Sequence, residues 1–245
     1  MADADALAAK PGPWVDLALT LPVFLGYQLG VVFLNVRNAS DPVTARLLEL
    51  AHGDRPTYFA LTGAIGAALV VVFSILGRGQ ALRARKILQV AVEGAAYAAV
   101  MGATASWVVG KLFAGRSIAA APGPFAGLVM SLGAGFYEEL AFRALLFGLG
   151  AKLLVWATAR RRVGLVRGAT PLRGRALAAV AAWAATCAVL FSAMHYVGPL
   201  GDAFDARSFV ARAVLGLALT TVYATRGFAA AVWTHALYDA WVLVA

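Results

Sequence analysis

The sequence predicts an all-α protein, a polytopic membrane helix bundle of about seven transmembrane helices. Three observations predict it. Of the 245 residues, 62% are hydrophobic and 13% are charged, where a soluble domain carries about 45–50% apolar and about 25% charged residues. The apolar residues fall in runs of about 20, the length that crosses about 30 Å of hydrocarbon. The 21 basic residues lie almost wholly between those runs, as membrane topology requires. The mean hydropathy of +0.78 agrees. Too few polar residues remain to face water, which excludes an ordinary soluble enzyme, a disordered chain and a nucleic-acid-binding module. The net charge of +9 therefore marks loops, not a nucleic-acid partner. The spans must be helices because lipid offers unpaired backbone groups nothing to bond.

Seven segments qualify, at 14–36, 57–76, 87–110, 123–151, 176–198, 208–225 and 227–245. The first follows the acidic stretch Met1-Ala2-Asp3-Ala4-Asp5 with no basic n-region, so it reads as a span and not as a signal peptide. Asp16, at its start, is expected to reach water. The loop after it holds Asp41-Pro42-Val43, then Leu47, Leu50 and Gly53. Asp at the cap, Pro in the first turn and apolar residues at helical spacing predict a short interfacial helix. Gly63 and Gly66 in the second span, and Ala178, Ala182 and Ala185 in the fifth, are small residues that let helices approach closely. Glu93 lies about two turns into the third span, where it pairs with an Arg or carries a proton. Only Arg226 and Gly227 separate the sixth and seventh spans, the weakest division of the seven. Cys187 is the one cysteine, inside an apolar run, so no disulfide forms within the chain. The whole of 1–245 reads as a single membrane domain, with the chemistry-bearing motifs in 120–245. Arg outnumbers Lys by 17 to 4 and Ala is abundant, which suggests a GC-rich bacterial genome.

Basic residues set the orientation. One side collects Lys10, Arg78, Arg83, Arg85, Lys86, the seven basic residues of the 152–175 loop, and Arg226, 13 in all. The other side holds seven, at Arg37, Arg46, Arg55, Lys111, Arg116, Arg207 and Arg212. The bias predicts a cytoplasmic N-terminus and a cytoplasmic 152–175 loop in a bacterial inner membrane. The run Arg160-Arg161-Arg162 reads as a topology signal.

Charges inside the hydrocarbon cost about 3 kcal/mol each on insertion scales, so those that remain point to chemistry. The fourth span contains Glu138-Glu139-Leu140-Ala141-Phe142-Arg143. Glu139 and Arg143 stand at i, i+4 with the acid on the N-terminal side, the favoured order. Glu138 is rotated by about 100°, so one carboxylate is held by Arg143 and the other faces a different neighbour. Two acids in unlike surroundings suit proton transfer. The fifth span ends Phe191-Ser192-Ala193-Met194-His195, and the seventh holds His235-Ala236-Leu237-Tyr238-Asp239. Phe191 lies one turn before His195, and Asp239 one turn after His235. Two His and two Glu on three helices of one small bundle predict a shared polar site.

These motifs, EExxxR, FxxxH and HxxxD on successive spans, resemble those of the CPBP family of intramembrane proteases, which groups CAAX proteases with bacteriocin-processing enzymes. The resemblance covers about 120–239. It implies an endopeptidase acting on a membrane-anchored protein or peptide within the bilayer. By that resemblance Glu138 activates a water with His195 as its partner, Glu139 and Arg143 support the site, and His235 with Asp239 steadies the oxyanion. One departure matters. The eukaryotic Ras-converting CAAX endoprotease has Asn where this chain has Asp239, and a carboxylate cannot donate an amide N–H. Orienting His235 is therefore the role expected of Asp239.

Members of that family are often labelled metalloproteases, and two Glu with two His could hold zinc. The chain lacks HExxH, which sets two imidazoles and a base on one helix face, and a metal-free glutamate mechanism is the expectation. Glu138 lies roughly 22 Å from the outer end of its span, whereas His195 is three residues from the outer end of the fifth. That mismatch implies shifted span ends or broken helices. The mouth is expected on the side opposite the 152–175 loop, facing away from the cytoplasm. An outward mouth suits trimming of exported proteins, including the C-terminal sorting signals associated with the myxosortase group. Two alternatives remain at this point: a non-catalytic immunity or scaffold protein, and a proton-coupled transporter.

Overall fold

A computed structural model of the chain describes residues 12–34, 38, 41–76, 84–113, 123–159, 174–198 and 201–244. Those residues are helical, with short turns and caps between the helices and no strand among them. In chain order the helices are α1 (Pro13–Ala18), α2 (Leu21–Leu34), α3 (Pro42–Leu50), α4 (Arg55–Leu76) and α5 (Ala84–Leu112). Then come α6 (Pro124–Gly133), a π-helix (Ala134–Leu149) and α7 (Gly150–Ala159), which follow one another without a break. The C-terminal part is α8 (Gly174–Met194), α9 (Ala206–Arg226) and α10 (Phe228–Val244). Among the described residues six stretches are long and apolar enough to cross a membrane, and α10, at 17 residues, is a shorter apolar helix. The seventh expected span is thus present as the shortest helix of that set.

Several span boundaries differ from those expected, each for a local reason. The first span is broken at Leu19–Thr20, where the Thr20 hydroxyl turns back to the Leu17 carbonyl at 2.7 Å and competes with the helical ladder. The fourth extends from Pro124 to Thr158, 35 residues. Even at a reduced rise per residue this exceeds about 30 Å of hydrocarbon. The fifth ends at Met194 and not at 198. The short helix expected in the first loop is α3: the Asp41 carboxylate accepts from the Val43 and Thr44 N–H groups at 2.9 and 3.0 Å, and Pro42 sits in the first turn. The 160–173 segment, with most of the basic loop, lies outside the described residues, as do Lys10, Arg37, Arg78, Arg83 and Arg116.

The centre of the bundle is α10, which packs against α5, α6, the π-helix and α9. Small residues make this possible. Ala229, Ala230 and Ala231 are buried. Glycines on three neighbours meet the α10 backbone: a Cβ on Gly94 would come 3.1 Å from the Thr234 nitrogen, one on Gly127 2.8 Å from the Leu243 oxygen, and one on Gly135 2.8 Å from the Ala236 nitrogen. The glycines and alanines expected to do this work mostly do not. Gly63 faces open space, and Ala178, Ala182 and Ala185 are on exposed faces. Spacing alone marks small residues but not which of them meets a partner. Cys187 is buried beside Phe147 and Ala151.

The junction between α9 and α10 is a true break. Gly227 has φ +111°, a left-handed conformation that disfavours a side chain. Asp16 reaches over it from α1 to accept from the Phe228 and Ala229 N–H groups at 2.6 and 3.0 Å. A Cβ at Gly227 would sit 2.5 Å from the Asp16 carboxylate. Asp16 is therefore buried, contrary to its expected contact with water, and caps a helix 212 residues away in sequence. A carboxylate there satisfies orphan donors and complements the positive helix end. Glu93 is paired: Arg226 donates to it through Nε and Nη2 at distances between 2.7 and 3.1 Å.

Candidate active site

The π-helix carries the two acids. Its i→i+5 bonding widens each turn by one residue, a geometry that recurs at functional sites. Here it places Arg143 beside Glu139, with Nη1 2.9 Å from Oε1. Both side chains are fully buried. Arg143 also donates through Nη2 to the Gly216 carbonyl on α9 at 3.3 Å, and its guanidinium lies 4.1 Å from the Phe191 ring centroid. A flat cation on an aromatic face keeps its in-plane N–H groups for other partners.

Glu139 has a second partner. The Nδ1–H of His235 donates to its Oε1 at 2.7 Å. Asp239 stands on the other side of the ring, with Oδ2 3.4 Å from Nε2. The expected orienter of His235 is Asp239, but the short hydrogen bond is the one His235 donates to Glu139, so Asp239 is the secondary partner. The acid nearest in sequence lost to one 96 positions away, which helical spacing cannot reveal.

His195 sits in the turn just after α8. Its Nδ1 hydrogen bonds to the Phe191 carbonyl at 2.9 Å, so that nitrogen carries the proton, since a carbonyl only accepts. The Phe191 ring meets His195 edge-on at 5.1 Å and His235 at 5.9 Å. Phe191 is thus a shared wedge between Arg143 and both imidazoles. The depth mismatch resolves here, because α8 ends four residues earlier than expected and brings His195 down beside the π-helix.

Glu138 differs from its neighbour. Its Oε2 lies 3.8 Å from His195 Nε2 and 4.0 Å from His235 Nε2. That oxygen is buried without a hydrogen-bond partner among the described residues. The sites around Glu138 and Glu139 are therefore unlike, one carboxylate held by an Arg and a His, the other facing two imidazoles across a gap. A cavity of about 390 Å³ opens on this gap, lined among others by Glu138, Phe191, His195, His235, Asp239 and Asn38. Arg212 and Ser208, near the start of α9, also line it, so it opens at the end of the bundle opposite the Arg226–Gly227 break. Glu139 and Arg143 lie behind its wall. The structure thus brings all six sequence-derived residues into one cluster, four on the cavity surface and two supporting them.

One lining residue escaped the sequence reading. Asn38, between α2 and α3, places Nδ2 3.5 Å from Glu138 Oε1. Its backbone N–H donates to the Tyr27 hydroxyl at 2.9 Å, which donates to Asp41 at 2.8 Å. Beside this, Gln28 donates to the Tyr137 hydroxyl at 2.6 Å and accepts from Tyr58 at 2.5 Å. This buried network ties the first helices to the residue preceding Glu138. The signals in the sequence are Gln28 inside an apolar run and Asn38 just past its end, but neither is charged, so the cost of burying charge marks neither.

A zinc ion needs three or four ligand atoms converging at about 2.0–2.2 Å. Among the described residues no three His, Cys, Asp or Glu side chains are so disposed. The residues do not fit a zinc site in this arrangement.

Comparison with protein families finds the type II CAAX prenyl endopeptidase Rce1-like family over residues 119–241. Comparison with curated proteins and with solved structures gives no match. The family match takes in half of the chain, from just before α6 to near the end of α10, and so includes every helix that bears the cluster. With its apolar helices and its polar cluster between them, the chain belongs to the Rce1-like family of CAAX endopeptidases, intramembrane proteases of the bilayer.

Proposed function

We propose that this chain hydrolyses a peptide bond next to a membrane-anchoring segment by glutamate-activated water, without a metal. The observation that carries the reading is Glu138 Oε2, a buried carboxylate oxygen with two imidazole nitrogens 3.8 and 4.0 Å away on one cavity wall. Those gaps are too long for direct hydrogen bonds and suit a water contacting all three groups. In the step proposed, the water oxygen attacks the scissile carbonyl carbon and its proton passes to Glu138. The carbonyl electron pair moves to the oxygen. Collapse breaks the C–N bond, and the proton goes to the departing amine. His195, with its proton fixed on Nδ1, presents Nε2 to the same water. Glu139 and Arg143 hold His235 beside the reacting carbonyl, with Asp239 as its second partner. General-base catalysis of this kind contributes about 10²–10⁴-fold.

The substrate proposed is an exported protein cut near its C-terminal transmembrane tail, as in a sorting signal. Support comes from the charge bias and from the cavity mouth, which opens at the end of the bundle opposite the Arg226–Gly227 break. With a cytoplasmic N-terminus in a bacterial inner membrane, that end faces outward. The test is deletion of the gene, followed by mass analysis of anchored exported proteins after complementation. Processing restored by the wild type but not by Glu138→Ala is expected. Equal restoration by both would sink the reading. Stoichiometric zinc in the purified protein, lost together with activity on chelation, would overturn the metal-free mechanism.

A further inference from the structure

Peptide hydrolysis needs a donor aimed at the oxygen that gains charge, and a preorganised donor in a water-poor site is the largest single aid to such a reaction. The third motif cannot supply an amide donor, because it ends in Asp239. We propose that Asn38 supplies it, donating its side-chain N–H to the oxyanion formed at the scissile carbonyl. The inference rests on the endopeptidase reading above.

Four observations carry it. Asn38 lines the same cavity as Glu138, His195, His235 and Asp239. Its amide orientation is fixed by chemistry, since a carboxylate only accepts and the group 3.5 Å from Glu138 Oε1 must be the NH₂. At 3.5 Å that contact is at the outer limit of a hydrogen bond, longer than the bond a charged oxyanion forms with an amide N–H. Its backbone is held in place by the chain from Asn38 N–H to Tyr27 to Asp41, all buried. Asp41 in turn is fixed as the N-cap of α3. The donor is therefore placed by structure outside the family-matched region, which begins at 119. The N-terminal helices thereby complete a site whose other members come from the C-terminal half.

In the step proposed, the carbonyl π pair moves to oxygen as water attacks, and the Asn38 N–H bonds to that oxygen without giving up its proton. When the C–N bond breaks, the carbonyl reforms and Asn38 returns to Glu138.

The test uses the purified full chain reconstituted in phosphatidylethanolamine–phosphatidylglycerol vesicles and given a proteome-derived peptide library, with products mapped by mass spectrometry. Kinetics are then measured on the peptide cut most efficiently. Wild type, Glu138→Gln, Asn38→Ala, Asn38→Asp and Asn38→Gln are compared. Asn38→Ala and Asn38→Asp are expected to lose kcat by about 10²–10³-fold, the cost of removing one oxyanion donor, with KM within threefold and the thermal midpoint unchanged. Asn38→Gln, which keeps the amide, is expected to recover at least tenfold over Asn38→Ala. Either donor-less variant within threefold of wild type in kcat overturns the inference while leaving the protease reading intact. So does a loss confined to KM, or one that follows a lowered thermal midpoint. If wild type and Glu138→Gln release the same peptides, the endopeptidase reading itself fails, and that failure is seen without any Asn38 variant.

Discussion

The two ends of α10 both meet buried carboxylates, and they treat them in opposite ways. At its N-terminal end, Asp16 accepts two backbone N–H groups, and nearby Glu93 is gripped by Arg226 through two nitrogens. Toward its other end, Glu139 is likewise held, by Arg143 and His235, but Glu138 Oε2 is buried without a hydrogen-bond partner among the described residues. Burying a carboxylate is costly unless it is paired, so the first arrangement is what stability alone would select. The second keeps a carboxylate ready for a partner that arrives from outside the fold. The difference teaches that a charge inside a membrane protein is informative mainly through what it lacks.

Substitutions can break this comparison, and the largest effect is expected at Glu138. Glu138→Gln keeps the volume and removes the proposed base, so cleavage by reconstituted protein should fall by about 10²–10⁴-fold, with the thermal midpoint little changed. Breaking the supporting pair should show the reverse emphasis. Arg143→Met leaves Glu139 uncompensated in a fully buried place and should cost about 3–5 kcal/mol, read as loss of folded protein in a detergent-melting assay. The double variant Glu139→Gln/Arg143→Met should be less destabilised than Arg143→Met alone. Gly135→Ala tests the close approach to α10. Its Cβ would meet the Ala236 Cβ at 2.7 Å, and overpacking of this kind costs about 1–3 kcal/mol. At the opposite end, Asp16→Asn weakens the cap of α10 and should cost about 1 kcal/mol, with cleavage kinetics near wild type. If Asp16→Asn lost catalysis as severely as Glu138→Gln, the division between the two ends would be wrong.

Much of the site was legible in the sequence because its members are charged or aromatic at helical spacings within apolar runs. The Glu139–Arg143 pair follows from i, i+4 spacing, and the convergence of Glu138, His195 and His235 from three polar motifs on three spans. What spacing could not reveal is partnership between helices. Asp16 reads as a residue at a span's edge, and only the tertiary fold brings it over Gly227. Glu139, not Asp239, takes the short bond from His235 because the π-helix and α10 cross there, a long-range fact. Asn38 is neutral and lies past the end of a span, so the cost of burying charge, which exposed the other members, gave no signal. The small residues show the same limit. Gly94, Gly127 and Gly135 touch α10 while Gly63 faces open space, and nothing local distinguishes them. The fold class followed from composition, whereas the length of the fourth span did not, since its last turns past 151 remain apolar and helical beyond what a bilayer requires.

The central claim is that Glu138 is the base and that the bonded carboxylates at the far end of α10 are structural. The most direct measurement is product mapping by mass spectrometry for wild type, Glu138→Gln and Asp16→Asn in the same vesicles, with one cleaved peptide followed in time. One defined cut is expected, made by Asp16→Asn at a rate near wild type and by Glu138→Gln about 10²–10⁴-fold more slowly. A Glu138→Gln protein that makes the same cut at the wild-type rate would contradict it.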